Sequence, residues 1–91
     1  MAKVNVDVKL ELGSNYQVVI GIGGNVLHFK ESGRQTVDLD PKVYVATIAG
    51  FQDPNTESTV AVTFKQGSKV LNSITIEDPK FIKKLFVTVE P

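Results

Sequence analysis

The sequence predicts an all-β domain: an antiparallel β-sandwich of about seven or eight strands, with a small β-barrel as the alternative closure. Apolar residues recur at every second position through most of the chain, which is the period of a strand with one buried and one wet face. Clusters of Gly, Pro, Asn, Asp and Ser interrupt those runs at roughly ten-residue intervals, as turns of an all-β domain do. The 91 residues include no Cys and no Trp, so the core must hold by packing alone, without disulfides, Cys-ligated zinc or thiol chemistry.

The elements follow in order. Val4, Val6, Val8, Leu10 and Leu12 share one parity, while Lys3, Asn5, Asp7, Lys9 and Glu11 fill the other. Gly13-Ser14-Asn15 ends that strand. In the second strand Tyr16, Val18, Ile20 and Ile22 share a face, and Gly23-Gly24-Asn25 supplies residues that tolerate the positive φ of a tight hairpin. The return, residues 26–30, places Leu27 and Phe29 on one side, and residues 31–34 read as a turn before a short strand at 36–39. Residues 43–51 are apolar at both parities, with Val43, Val45 and Ala49 on one and Tyr44, Ala46 and Ile48 on the other. That predicts a central strand, or one whose outer face a partner covers. Val60, Val62 and Phe64 alternate in the next strand, and Ile74 and Ile76 point inward on the one after it. Asp78-Pro79 resembles a helix start, and Phe81, Ile82, Leu85 and Phe86 fall at helical spacing. One or two helical turns are therefore expected near residues 79–84, followed by a last strand through Leu85, Val87 and Val89.

The whole of residues 1–91 reads as one domain, without repeat, linker or low-complexity segment. Ten Lys+Arg balance ten Asp+Glu, which argues against nucleic acid or an anionic membrane as the main partner. No apolar run approaches the roughly 20 residues of a membrane span. Residues 1–7 alternate polar and apolar, so no signal peptide is visible. That pattern is compatible with cytoplasmic synthesis and later incorporation into an assembly.

The stretch Leu39-Asp40-Pro41-Lys42-Val43-Tyr44-Val45-Ala46-Thr47-Ile48-Ala49-Gly50 resembles the Leu-x-Pro-Gly-x-Tyr-x-x-x-Ile-x-Gly segment of carboxypeptidase-regulatory-like (transthyretin-like) and PEGA-type sandwich modules. Leu39, Pro41, Tyr44, Ile48 and Gly50 match, and Lys42 stands where those modules usually carry Gly. The resemblance implies a structural corner. Pro41 sets the bend, Leu39 closes a core layer, and Tyr44 buries its ring with the hydroxyl tied to nearby backbone, as in the tyrosine corner of immunoglobulin-like sandwiches. It implies a fold and an accessory or binding role, with no activity and no cofactor.

Sites of chemistry are sparse. Gly21-Ile22-Gly23-Gly24-Asn25 lacks the third glycine and the following helix of a dinucleotide loop, so it reads as a hairpin turn. His28 is the lone histidine; Ser32 and Asp38 formally complete a triad, but His28 shares parity with Val26 and Lys30 and reads as a surface residue. Asp38 with Asp40, and Glu77 with Asp78, are two separate acidic pairs, short of the six to eight oxygens calcium takes. Lys80, Lys83 and Lys84 read as a solvated cluster. Phe51, Asp53 and Asn55 form a candidate ligand loop for glycan or calcium.

The expected function is non-catalytic: a structural or accessory protein acting through protein contacts or self-association, as a subunit of a virion, phage-like particle or surface filament. A carbohydrate- or calcium-binding module is the alternative. The expected pairing strands are Val4, Val6, Val8, Leu10 and Leu12 at the chain start, and Leu85, Val87 and Val89 at its end, through β-augmentation or swapping.

Overall fold

The structure, a computed structural model, describes residues 3–12, 16–52 and 59–91. Among the described residues the chain forms eight strands and no helix: β1 (Val4–Leu12), β2 (Tyr16–Ile22), β3 (Asn25–Phe29), β4 (Gly33–Leu39), β5 (Val43–Gln52), β6 (Val60–Gln66), β7 (Lys69–Ile76) and β8 (Lys80–Thr88). They build two four-stranded sheets, ordered β4-β1-β6-β7 and β3-β2-β5-β8, and every pairing is antiparallel. The sheets pack face to face with open edges, so the architecture is a β-sandwich and the barrel alternative is set aside.

The core lies between the sheets and is made by the period-two residues. Val6, Val8 and Leu10 of β1 meet Val60, Val62 and Phe64 of β6 on the inner face of the first sheet. Val18, Ile20 and Ile22 of β2, Ala46 and Ile48 of β5, and Val87 of β8 line the facing surface. Burying each large aliphatic or aromatic side chain contributes roughly 1.5–3 kcal/mol, so this layer dominates stability.

The helical turn expected at residues 79–84 is not formed. Lys80 to Thr88 is one continuous strand paired along its length with β5, from Phe51↔Lys80 to Val43↔Thr88. Phe81 and Val87 point into the core and Ile82 and Phe86 point out. The four apolar residues that suit a helix face are thus shared between the two faces of a strand. The nine-residue ladder outweighs the local capping signal of Asp78-Pro79.

A second correction concerns the first of the expected pairing strands. β1 is central, hydrogen-bonded to β4 on one side and β6 on the other. Its apolar Val4, Val6, Val8, Leu10 and Leu12 face the intersheet core, so β1 offers neither a free edge nor a free apolar face. β8 is an edge strand whose Leu85 and Val87, with the following Val89, pack into the core, so what it offers a neighbour is a backbone edge rather than an apolar face.

Side-chain amides join the sheet edges. Gln35 Nε2 on β4 donates to the His28 carbonyl on β3 at 2.9 Å, and Asn72 Nδ2 on β7 donates to the Phe86 carbonyl on β8 at 2.8 Å. A register shift in β7 sets up the second bond. Phe64 pairs with Asn72 but Lys65 with Val70, which leaves Leu71 as the extra residue of a bulge. Gln66 binds Glu90 reciprocally, donating from Nε2 to the carbonyl at 2.6 Å and accepting from the amide at 3.0 Å. These contacts occupy edge backbone groups that would otherwise be open to another strand.

At the β4–β5 corner the Tyr44 ring is 8% exposed and its hydroxyl donates to the Asp40 carbonyl at 2.7 Å. The Lys42 ammonium lies 5.2 Å from the ring centroid, a cation–π distance. Opposite the ring, Gly23 turns the β2–β3 hairpin at φ 57°, and a Cβ there would stand 2.6 Å from Leu39 Cδ2 and 3.0 Å from Tyr44 Cε1. Glycine is favoured at this position, since the left-handed backbone strains other residues and a Cβ would have to displace the Leu39 and Tyr44 side chains. Tyr44→Phe is expected to cost about 1 kcal/mol, the net worth of one hydrogen bond, since the Asp40 carbonyl loses the Tyr44 donor. Urea denaturation measures it, and an unchanged midpoint would show that water replaces the bond.

Candidate functional site

The two sheets differ in what they show to solvent. The first sheet presents Asn5, Asp7, Lys9 and Glu11 of β1 and Arg34, Thr36 and Asp38 of β4, the ordinary polar outer face of an antiparallel sheet. Asp7 Oδ1 accepts from Thr36 Oγ1 at 2.7 Å, and Lys9 and Glu11 approach to 3.7 Å. The second sheet is apolar on the same side. Of the eight large hydrophobic residues exposed among the described residues, seven lie on its outer face: Val19, Val26, Val43, Val45, Phe51, Ile82 and Phe86.

Strand register arranges them in rows. Gln17, Phe51 and Lys80 lie side by side across β2, β5 and β8. The next row runs His28, Val19, Ala49 and Ile82, and the next Val26, Gly21, Thr47 and Lys84. Val45 stands beside Phe86, and Val43 beside Thr88. Small residues, Gly21, Thr47 and Ala49, therefore occupy the middle, and larger ones surround them. The result is an open groove of about 730 Å³ at the Phe51 end, lined by Val19, Ala49, Phe51 and Ile82 with Gln17 and Lys80. Ile82 and Phe86 are the most exposed of the set, at 74% and 69%.

Two sequence features made this face. β5 is apolar at both parities, and its neighbours β2 and β8 cover its edges but not its outer side. β8 carries Ile82 and Phe86 between lysines, which local spacing assigns to a helix and the ladder assigns to this surface. The double-parity pattern of residues 43–51 predicts a central strand or a partner-covered face; β5 is central, between β2 and β8, and its outer side is bare. Nothing local in the sequence links it to Val19, Ile82 or Phe86.

The remaining candidates fall apart in space. His28 sits on the outer face of the second sheet, Asp38 on that of the first, and the Ser32 hydroxyl is bound to both backbone groups of Leu12, at 2.8 and 3.3 Å. The three are not brought together as a triad. Asp38 and Asp40 lie at the end of β4 and Asp78 pairs with Lys83 at 3.3 Å; among the described residues no three His, Asp or Glu groups converge. The three lysines divide, with Lys83 on the inward parity of β8 and Lys80 and Lys84 on the outer face. Asp53 and Asn55 of the candidate ligand loop lie outside the described residues, while Phe51 stands at the groove. Leu39 and Tyr44 are buried at the β4–β5 corner, with Pro41 in the connection. No helix among the described residues is long and apolar enough to cross a membrane.

Compared with protein families, curated proteins and solved structures, the chain matches none.

Proposed function

We propose that this chain is a non-catalytic structural or accessory module, a subunit of a larger assembly, that works by protein contact through the outer face of the β3-β2-β5-β8 sheet. The single observation that carries this reading is the gathering of seven exposed large hydrophobic residues on that one face. Scattered surface hydrophobics are ordinary, whereas a contiguous patch marks an interaction surface. Strands of seven, five, ten and nine residues, about 4.8 Å apart and rising about 3.3 Å per residue, cover roughly 500 Å². That is somewhat over half of one side of a standard protein interface at about 800 Å². Contact through a face rather than an edge also fits the amide bonds at the His28 and Phe86 carbonyls. The Tyr44 corner supports kinship with immunoglobulin- and transthyretin-like modules, and such kinship brings a scaffold rather than an activity.

The test is photo-crosslinking in the cells that make the protein. A benzophenone amino acid replaces Phe86 in one sample and Asn5, on the polar face of the other sheet, in a second. Discrete crosslinked protein species from position 86 and none from position 5 are expected. Equal labelling from both, or none from position 86, would overturn the reading.

A further inference from the structure

The charges on the apolar face narrow its occupant, provided that the face is a docking surface as proposed. We infer that the occupant is an acidic amphipathic protein segment, which seats an apolar side chain over Ala49 and sets carboxylates against Lys80 and Lys84.

Lys80 and Lys84 flank Ile82 on the outer face of β8. No Asp or Glu occupies an outward position of β2, β3, β5 or β8, and among the described residues neither lysine forms an ion pair. Among the described residues Lys3, Lys30, Lys42 and Lys65 likewise form none, whereas the other three lysines are paired. Lys83 meets Asp78, Lys69 meets Glu90, and Lys9 approaches Glu11. Asp78 and Glu90, close to β8 in sequence, are thus engaged elsewhere, while the exposed Glu77 forms no ion pair among the described residues.

A wholly apolar partner covering this face would desolvate two ammonium groups without compensation. A second copy docking face to face would bring those lysines against a surface that, among the described residues, also lacks carboxylates. An anionic bilayer gains little long-range attraction from a chain whose formal net charge is zero. A protein segment with both apolar anchors and acids satisfies the whole surface. Ala49 forms a low floor between Val19 and Ile82, with Phe51 at its end, and so leaves room for one anchoring side chain. Lys80 and Lys84 stand two positions either side of Ile82, within reach of acids flanking that anchor.

The experiment uses a phage-displayed random-peptide library panned on the full chain, with counter-selection on the Ala49→Arg variant. Selected peptides are synthesised with their acids intact and with Asp→Asn and Glu→Gln replacements. Binding is measured by calorimetry to the wild type, to Ala49→Arg, to Ile82→Ser and to K80E/K84E, each first checked for strand content by circular dichroism. Sedimentation of the chain alone and with phosphatidylglycerol vesicles runs in parallel. Face-dependent peptides rich in Asp and Glu are expected. Their binding should fall about tenfold or more in K80E/K84E or on neutralising the acids, and should weaken with added salt. Face-dependent peptides without acids would overturn the acidic partner and leave the docking face standing. Peptides bound equally by Ala49→Arg and Ile82→Ser, or no peptides at all, would overturn both. A chain that dimerises through this face, or that binds the vesicles and no peptide, would assign the face to a different occupant and sink the inference.

Discussion

Phe64→Ala is expected to remove about 3–5 kcal/mol of folding stability, the cost typical of deleting a fully buried aromatic ring. Phe64 heads the fully buried side chains by volume, with no exposed surface. It stands on β6 opposite Val8 of β1 and Asn72 of β7, so ladders on both sides hold the backbone around the vacated space. Collapse into the cavity is therefore restricted, and both lost transfer energy and lost packing contribute. A chain of this size has roughly 5–15 kcal/mol in total, so the variant keeps only part of its margin. Phe86→Ala is the matched control. Its ring is 69% exposed, and the change should stay within about 0.5 kcal/mol. Denaturation midpoints of the two variants separate core from exposed apolar face. A Phe64→Ala loss under about 1 kcal/mol would mean that the core relaxes freely around the missing ring.

The same contrast shows what the sequence makes legible. Alternation in residues 4–12 and 60–66 identifies inward and outward side chains correctly, because each sheet has one dry face and register cannot slip by one residue without exposing Val6, Val8 or Phe64. Turn chemistry marks the β2–β3 hairpin, since Gly23 and Gly24 both take positive φ. Local composition misleads where a long-range ladder decides. Gly33 and Arg34 read as a turn, yet Leu10↔Gly33 and Lys9↔Arg34 pairing draws them into β4. Asp78-Pro79 reads as a helix cap, yet β5 extends the following residues into β8. The chain's opening strand reads as an edge, and strand order instead places it in the middle of its sheet.

The apolar outer face was legible in part for the same reason. β5 signals its bare side through Val43, Val45 and Ala49, which have no place in a polar outer surface. The face exists only because β2 and β8 flank β5, and β8 lies about thirty residues further along the chain, past the β6–β7 hairpin. No local pattern encodes that adjacency. The lysines make the point again. Lys80, Lys83 and Lys84 are one cluster in sequence, but strand alternation sends Lys83 toward Asp78 and the other two to the apolar face.

Gly50→Ala is expected to destabilise by about 3 kcal/mol, at the upper end of overpacking costs, and to lower Tm by about 12–24 °C. Gly50 lies on the inward side of β5, between Val18 of β2 and Phe81 of β8. A Cβ there would meet the Gln17 carbonyl oxygen at 2.6 Å, Phe81 Cζ at 2.8 Å and Val18 Cγ2 at 3.2 Å. The first contact is with backbone held in the β2–β5 ladder, so it cannot be relieved by a side-chain rotation. The reduced entropy of the unfolded alanine chain returns only about 0.4–1 kcal/mol. Phe81→Leu in the same background shortens the ring that meets the new methyl and should recover part of the loss. It cannot recover all, because the carbonyl clash remains. A positive but incomplete coupling in that double-mutant cycle distinguishes crowding at two walls from crowding by the ring alone. Full rescue would mean that β2 gives way, and no loss in the single variant would refute the close approach. The consequence reaches the outer surface as well. Gly50 sits between Ala49 and Phe51, the floor and end of the groove, so any shift of β5 that accommodates a methyl moves both. Peptide binding at the face should therefore weaken in Gly50→Ala at temperatures where the variant is still folded.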